Sequence, residues 1–244
     1  MSLAAVAACA AQPIQAAATP PTLEAPTFRK LFTSSSVIDT LLADGITGLP
    51  GAGTLIVMAA TRSTTANRTH GTPTLSGISL SGSFSLVGTV NTLQPSTTNN
   101  VRVSMWVGRL TGTPGDGDVQ MVTSGNVSQS LLAVYSTVGA ALPHATQGTG
   151  TATTGTALTV AFDDTGTPAA ASLSIGIYAQ NGVGGAGLAA TGFTSLADMA
   201  TDFSTNMRVA GLYDLTSPAN NFPVTGGQDG NAKSGVAVLL EQQI

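Results

Sequence analysis

Apolar and polar residues alternate most cleanly over residues 100–110. Val101, Val103, Met105 and Val107 fall on one face, and Arg102, Ser104, Trp106 and Gly108 on the other. A period of two marks a strand with one face on a core. This strand also carries the chain's single tryptophan. Residues 54–60 form instead an unbroken apolar run around Leu55, Ile56, Val57 and Met58, the pattern of a central strand buried on both faces.

Further strands are expected along the chain. Residues 75–90 read as two strands bent at Ser81-Gly82-Ser83, with Ile78, Leu80, Phe84 and Leu86 inward. The turn-rich stretch 111–118 predicts a hairpin between the 101–110 strand and one at 119–123. Strands follow at 130–138, 157–162, 171–179 (Leu173, Ile175 and Ile177 inward), 207–215 and 235–240. The Gly/Thr stretch 145–155 and the glycine-rich 181–187 are expected to be mobile loops. Two short helices are expected. One spans 34–42, where a serine can cap and Val37, Ile38, Leu41 and Leu42 share a side. The other is a single turn at 194–199, where Ser195 and Asp198 imitate a capping box.

Short strands spaced by turn signals, without alternating βαβ units, predict an all-β fold. The expected architecture is an antiparallel, jelly-roll-like β-sandwich over residues 50–244. It is preceded by an extended N-terminal arm with a short helix over residues 1–49. Pro13, Pro20, Pro21 and Pro26 oppose both helix and ladder pairing in the arm. An apolar arm of this kind needs a surface to lie on, its own domain or a neighbouring subunit. The opening residues 1–10 are apolar but lack the charged n-region and long h-region of an export signal. No run reaches the length of a membrane-spanning helix.

Composition narrows the function. Charged residues make up 8% of the chain and aromatics 5%, against about 25% charged in ordinary domains. Ser, Thr, Gly and Ala take their place, which suits wet-faced strands and tight turns. With two lysines, six arginines and net charge −4, there is no basic stripe for nucleic acid. Cys9 is the only cysteine, so no internal disulfide can form.

Candidate chemistry is sparse. His70 and His144 sit in expected loops without ligand-spaced partners, and read as surface residues. No Gly-x-Ser-x-Gly elbow or phosphate-cradling loop is present. Asp116 with Asp118, and Asp163 with Asp164, could hold calcium or serve as a carboxylate pair. Asp and Gly are also simply turn residues, so neither catalytic residue, cofactor nor metal site is assigned. Asn67-Arg68-Thr69 and Asn126-Val127-Ser128 match glycan acceptors by pattern alone. Trp106 and Tyr178 lie opposite the apolar faces of their strands. They are either a sugar-stacking platform or a covered seam.

The succession of residues 55–58, 101–107 (Val-Arg-Val-Ser-Met-Trp-Val) and 132–139 (Leu-Ala-Val-Tyr-Ser-Thr-Val-Gly) resembles β-sandwich modules of tailed-bacteriophage virion proteins. The resemblance covers about residues 50–180, and is a pattern of strands that transfers no functional residues. It implies a structural role in the virion, as a capsid decoration, head spike, fibre base or tail component. The expected partners are other virion proteins and further copies of the chain, with a trimer among the symmetric options, and neither nucleic acid nor membrane. Partner-binding candidates are Pro20, Pro21, Pro26, Phe28 and Phe32 in the arm, with Arg102 and Trp106 on the 100–110 strand. The alternative expectation is a carbohydrate-binding or adhesin module using exposed aromatics.

Overall fold

The computed structural model describes residues 22–23, 28–51, 53–65, 67–95, 97–112, 115–138, 141–161, 172–185, 187–196, 199, 201–203, 206–214 and 221–242. Among them are fifteen strands and no helix. The first eight are β1 (Thr22–Leu23), β2 (Phe28–Ile46), β3 (Thr54–Ser63), β4 (Thr74–Ser76), β5 (Ser85–Leu93), β6 (Asn100–Arg109), β7 (Gly117–Val138) and β8 (Ala141–Ala152). The rest are β9 (Leu158–Ala161), β10 (Ser172–Asn181), β11 (Thr194–Ser195), β12 (Thr201–Phe203), β13 (Met207–Asp214), β14 (Asn221–Val224) and β15 (Lys233–Gln242).

Two antiparallel sheets pack face to face. One runs β1-β7-β3-β6-β5, with β2 and β4 also on β7; the other runs β11-β13-β10-β15-β8, with β12 on β13. The chain fills the first sheet before starting the second. Consecutive strands therefore do not pass back and forth between sheets, as the expected jelly-roll-like order would require. The core between the sheets takes Val101, Val103, Met105 and Val107 from β6 and Leu173, Ile175 and Ile177 from β10, as their alternation predicts. Ile56, Met58, Val236 and Val238 join them.

Each sheet is also covered on its outer face. β7 explains how for the first sheet. Its N-terminal half alternates buried and exposed residues, while residues 129–137 are all buried. The change falls near Gly125, at φ 153, beside register shifts between Thr33 and Thr40 of the partner β2. The N-terminal half of β7 thereby folds back with β2 and β4. Its Val119 and Met121, with Leu41, Ala43 and Ile46 of β2, pack on Leu55, Val57 and Trp106. On the second sheet, Leu158 and Val160 of β9 and Val224 of β14 pack on Tyr178, Leu212 and Ala237.

Several expectations are corrected here. The helix expected at 34–42 is part of β2, where Thr40, Leu41, Leu42 and Ala43 pair with residues 122–119 of β7. Fully buried Leu41, Ala43 and Ile46 thus belong to the sandwich rather than to an arm. Without β2, β7 would keep a long unpaired edge, and satisfying its backbone groups outweighs weak local helix propensity. At 194–199, Thr194 and Ser195 form β11, and Met199 N–H bonds to the Leu196 carbonyl in a turn; Asp198 lies outside the described residues. β6 and β7 are not a hairpin, because β3 lies between them. Leu86 is 50% exposed rather than inward.

Residues 145–152 of the Gly/Thr stretch expected to be a mobile loop belong to β8, paired along β15, while residues 153–155 lie beyond the strand. Its glycines make room for a crossing strand. A Cβ at Gly148 would sit 2.2 Å from the Ala161 carbonyl oxygen, and one at Gly150 3.0 Å from that of Thr159. In the 181–187 stretch, a Cβ at Gly185 would sit 2.4 Å from the Gly226 carbonyl oxygen. Among the described residues, no helix is long and apolar enough to cross a membrane.

Candidate functional site

Three polar clusters stand out, one under the outer cover of the first sheet and one at each end of the sandwich. The first is centred on His70, which bridges to Thr123 of β7 from the loop before β4. Its Nδ1 lies 2.8 Å from Ser104 Oγ and its Nε2 2.8 Å from Thr61 Oγ1. Ser104 Oγ lies 2.7 Å from Thr89 Oγ1, which accepts a 2.9 Å bond from Arg102 Nη1. Arg102 Nη2 donates to Asn67 Oδ1 at 2.8 Å. A guanidinium can only donate. Thr89 Oγ1 is therefore the acceptor in that bond, and the two hydroxyls link the guanidinium to the imidazole in one continuous chain.

This triplet of Ser104, His70 and Arg102 is unlike a nucleophile–base pair. Ser104 is fully buried, and no carboxylate orients the imidazole. The residue as a whole keeps partial exposure, but both ring nitrogens are tied to hydroxyls of buried residues, and the ring is 6.4 Å from that of Trp106. Burial, and then the Arg102 charge, push His70 down to about 3. An imidazole so weakly basic takes no proton from a serine near neutral pH. What the arrangement does is pin the loop before β4 to β3 and β6. His70 is therefore an internal strut rather than the surface residue expected. Only the folding back of β7 and β4 places it there, and no local signal marks it.

The second cluster closes one end of the sandwich. Arg62, 8% exposed, donates from Nε to Asn181 Oδ1 at 2.6 Å and from Nη1 to Gln129 Oε1 at 3.0 Å and Ser128 Oγ at 3.3 Å. Asn181 Nδ2 donates to Gln94 Oε1 at 3.1 Å, which also accepts the Ala232 N–H. Thr92 Oγ1 reaches Ser234 Oγ at 2.8 Å, and Ser234 donates to the Val101 carbonyl. These bonds stitch β3, β5, β6 and β7 of one sheet to β10 and β15 of the other. The partners of Arg62 are all neutral, and burial lowers its pKa.

The third cluster lies at the opposite end, where Thr54 pairs with Arg109. A cavity of about 90 Å³ is lined there by Thr54, Ser81, Ser83, Ser85, Val107, Gly108 and Arg109.

The remaining sequence candidates are placed as follows. Asp118 Oδ1 accepts the Gly45 N–H at 3.0 Å and Asp116 Oδ1 the Gly48 N–H at 3.4 Å. Gly45 and Gly48 have φ of 72 and 71, so this acidic pair braces the turn between β2 and β3. Asp163 and Asp164 lie outside the described residues, as does the side chain of His144 in β8. Among the described residues, no group of three or more His, Cys, Asp or Glu comes together.

Trp106 is 2% exposed and Tyr178 fully buried. The chain itself covers both, and no aromatic is exposed among the described residues. The Tyr178 hydroxyl has no hydrogen-bond partner among the described residues, and burial raises its pKa. Arg102 is half-buried in the His70 chain, with both terminal nitrogens engaged. Pro20, Pro21 and Pro26 lie outside the described residues. Phe28 and Phe32 pair with Val134 and Ser130 through β2, and their side chains lie outside the described ones. Comparison with protein-family models, with curated proteins and with solved structures yields no match.

Proposed function

We propose that this chain is a non-enzymatic structural subunit of a phage-like particle, a surface decoration, spike or fibre-base component. Its N-terminal arm and packing between copies hold it in place. The observation that carries this reading is the distribution of burial. The chain covers the outer faces of both sheets with its own ribbons. It spends Trp106, Tyr178, His70 and Arg62 on internal packing and bonding. Among the described residues this leaves a weakly charged skin rich in Ser, Thr and Gly, with Leu86, Leu93, Val122 and Val138 exposed among them, a composition suited to a scaffold rather than to chemistry.

The sugar-platform alternative loses support, because the two aromatics it relied on are inside. Trp106 also ceases to be a seam between subunits, so partner contact falls to the arm, with Pro20, Pro21 and Pro26. Proline-rich arms are already extended and extend an interface at low entropic cost. Partner binding adds stability to the folded subunit by mass action. The reading requires a sandwich with an arm, not the jelly-roll order.

The test is a truncation that respects β2. Residues 28–46 pair with β7, so the deletion removes residues 1–21 only. In purified particles, mass spectrometry should find the full chain at a fixed copy number. The truncated chain should unfold at nearly the same denaturant concentration yet drop out of the particles. Normal incorporation of the truncated chain would overturn the arm's role. Absence of the full chain from particles would overturn the reading itself.

A further inference from the structure

The cavity at the Thr54–Arg109 end lies on the core-facing side of the first sheet. Along β3 the inward residues run Met58, Ile56, Thr54, and along β6 Met105, Val107, Arg109. Along β5 and the segment before it, they run from buried Val87 to Ser85, Ser83 and Ser81. The same face therefore turns from apolar to hydroxyl and guanidinium where the core ends. Phe84 and Leu80 point the other way. They pack close to Gly108, where a Cβ would lie 2.6 Å from Leu80 Cδ1 and 3.1 Å from Phe84 Cδ1. This anchors the serine segment. Ser81 N–H bonds to the Arg109 carbonyl at 2.7 Å. Gly82, at φ 91, bends the segment so that all three serines line one cavity.

The three serines and Arg109 are exposed. Their side chains have no hydrogen-bond partner among the described residues. No carboxylate lines the cavity. The cavity has room for a few waters or one small polar group. Ser hydroxyls donate readily, and a guanidinium only donates, with the fork geometry that suits an oxyanion.

From this placement, we infer that the Ser81–Ser83–Ser85–Arg109 mouth binds a tetrahedral oxyanion, a phosphate or sulfate group, either free or carried on a glycan. Arg109 supplies the charge and the fork, and the serines supply further donors. The inference stands apart from the particle reading: a structural subunit with or without arm-mediated assembly can carry it.

The test is an NMR titration of the full-length chain with sodium phosphate, sodium sulfate and a sulfated disaccharide, against sodium chloride at matched ionic strength. Saturable amide shifts are expected in residues 81–85 and 107–109. Arg109→Ala should weaken binding by about tenfold or more, the effect of removing a charged hydrogen-bond partner. Arg109→Lys should lie between, and Ser76→Ala, at another exposed site, should bind as the parent does. Tighter binding of the sulfated disaccharide than of free sulfate assigns the group to a glycan; equal binding assigns the free ion. Shifts that rise linearly without saturating, or that persist unchanged in Arg109→Ala, mean an adventitious ion only and overturn the inference.

Discussion

Arg62 and Arg109 stand near opposite ends of the same pair of strands, and neither has a carboxylate partner among the described residues. Thr54 faces Arg109 and Arg62 faces Val101 across β3 and β6, so eight residues of β3, roughly 27 Å at strand rise, separate the two ends. At the Arg62 end, amide and hydroxyl side chains from both sheets converge on the guanidinium. At the Arg109 end, three serines and a threonine surround a cavity instead. Burying a charge without pairing is costly. The Arg62 end meets that cost with neutral dipoles, and the Arg109 end avoids it by staying exposed. One end is built to hold two sheets together; the other keeps the side chains of Ser81, Ser83, Ser85 and Arg109 facing solvent.

The largest expected effect lies between the two ends and serves as a scale for them. Trp106→Ala should cost about 3–5 kcal/mol by opening a cavity under the folded-back half of β7, read from chemical denaturation. A cost near zero would mean that the cover is not packed as described. Next comes Arg62→Ala, expected to cost about 2–4 kcal/mol, because Asn181 and Gln129 are then left with unmet acceptors. If Arg62→Ala proves no worse than Arg109→Ala, the contrast between the ends collapses.

An acid titration probes the cover from another side. His70 is held at about 3 in the fold, against roughly 6.5 in the unfolded chain. The unfolded state therefore binds this proton first. Stability should be full above about pH 6.5 and fall as pH drops toward 3, by up to about 1.4 kcal/mol per pH unit. His70→Gln should lack this slope; parallel pH profiles for the two proteins would rule the strut out. The smallest effect is expected for Arg109→Ala, within about 0.5 kcal/mol of the parent, as for exposed positions generally. A larger loss in the same denaturation assay would show that Arg109 is structural after all.

Much of the sandwich was legible along the chain. The alternation at 101–107 correctly assigns Val101, Val103, Met105 and Val107 to the core between the sheets, and the apolar run at 54–60 is a strand buried on both faces. The strands expected at 207–215 and 235–240 are met by β13 (Met207–Asp214) and β15 (Lys233–Gln242), with Leu215 outside the described residues. The misreadings share a cause. At 34–42 and 145–155, local composition points to helix or loop, yet an otherwise unpaired neighbouring strand recruits the first stretch and residues 145–152 of the second. Gly148 and Gly150 read as loop residues, when their missing side chains are what let β9 cross β8. Of the polar clusters, nothing local distinguishes His70 or Arg62, whose partners lie up to 119 residues away.

By itself, the sequence determined an all-β chain, the faces of its principal strands and the scarcity of charge. These are local properties, set by side-chain periodicity and turn chemistry within a few residues. Only the tertiary structure decided that Trp106 faces inward, that β7 bends to roof its own sheet, and that one arginine is enclosed while the other stands at a mouth. Those outcomes depend on which distant strands meet, and strand pairing is chosen by the backbone groups and apolar faces left unsatisfied across the whole fold.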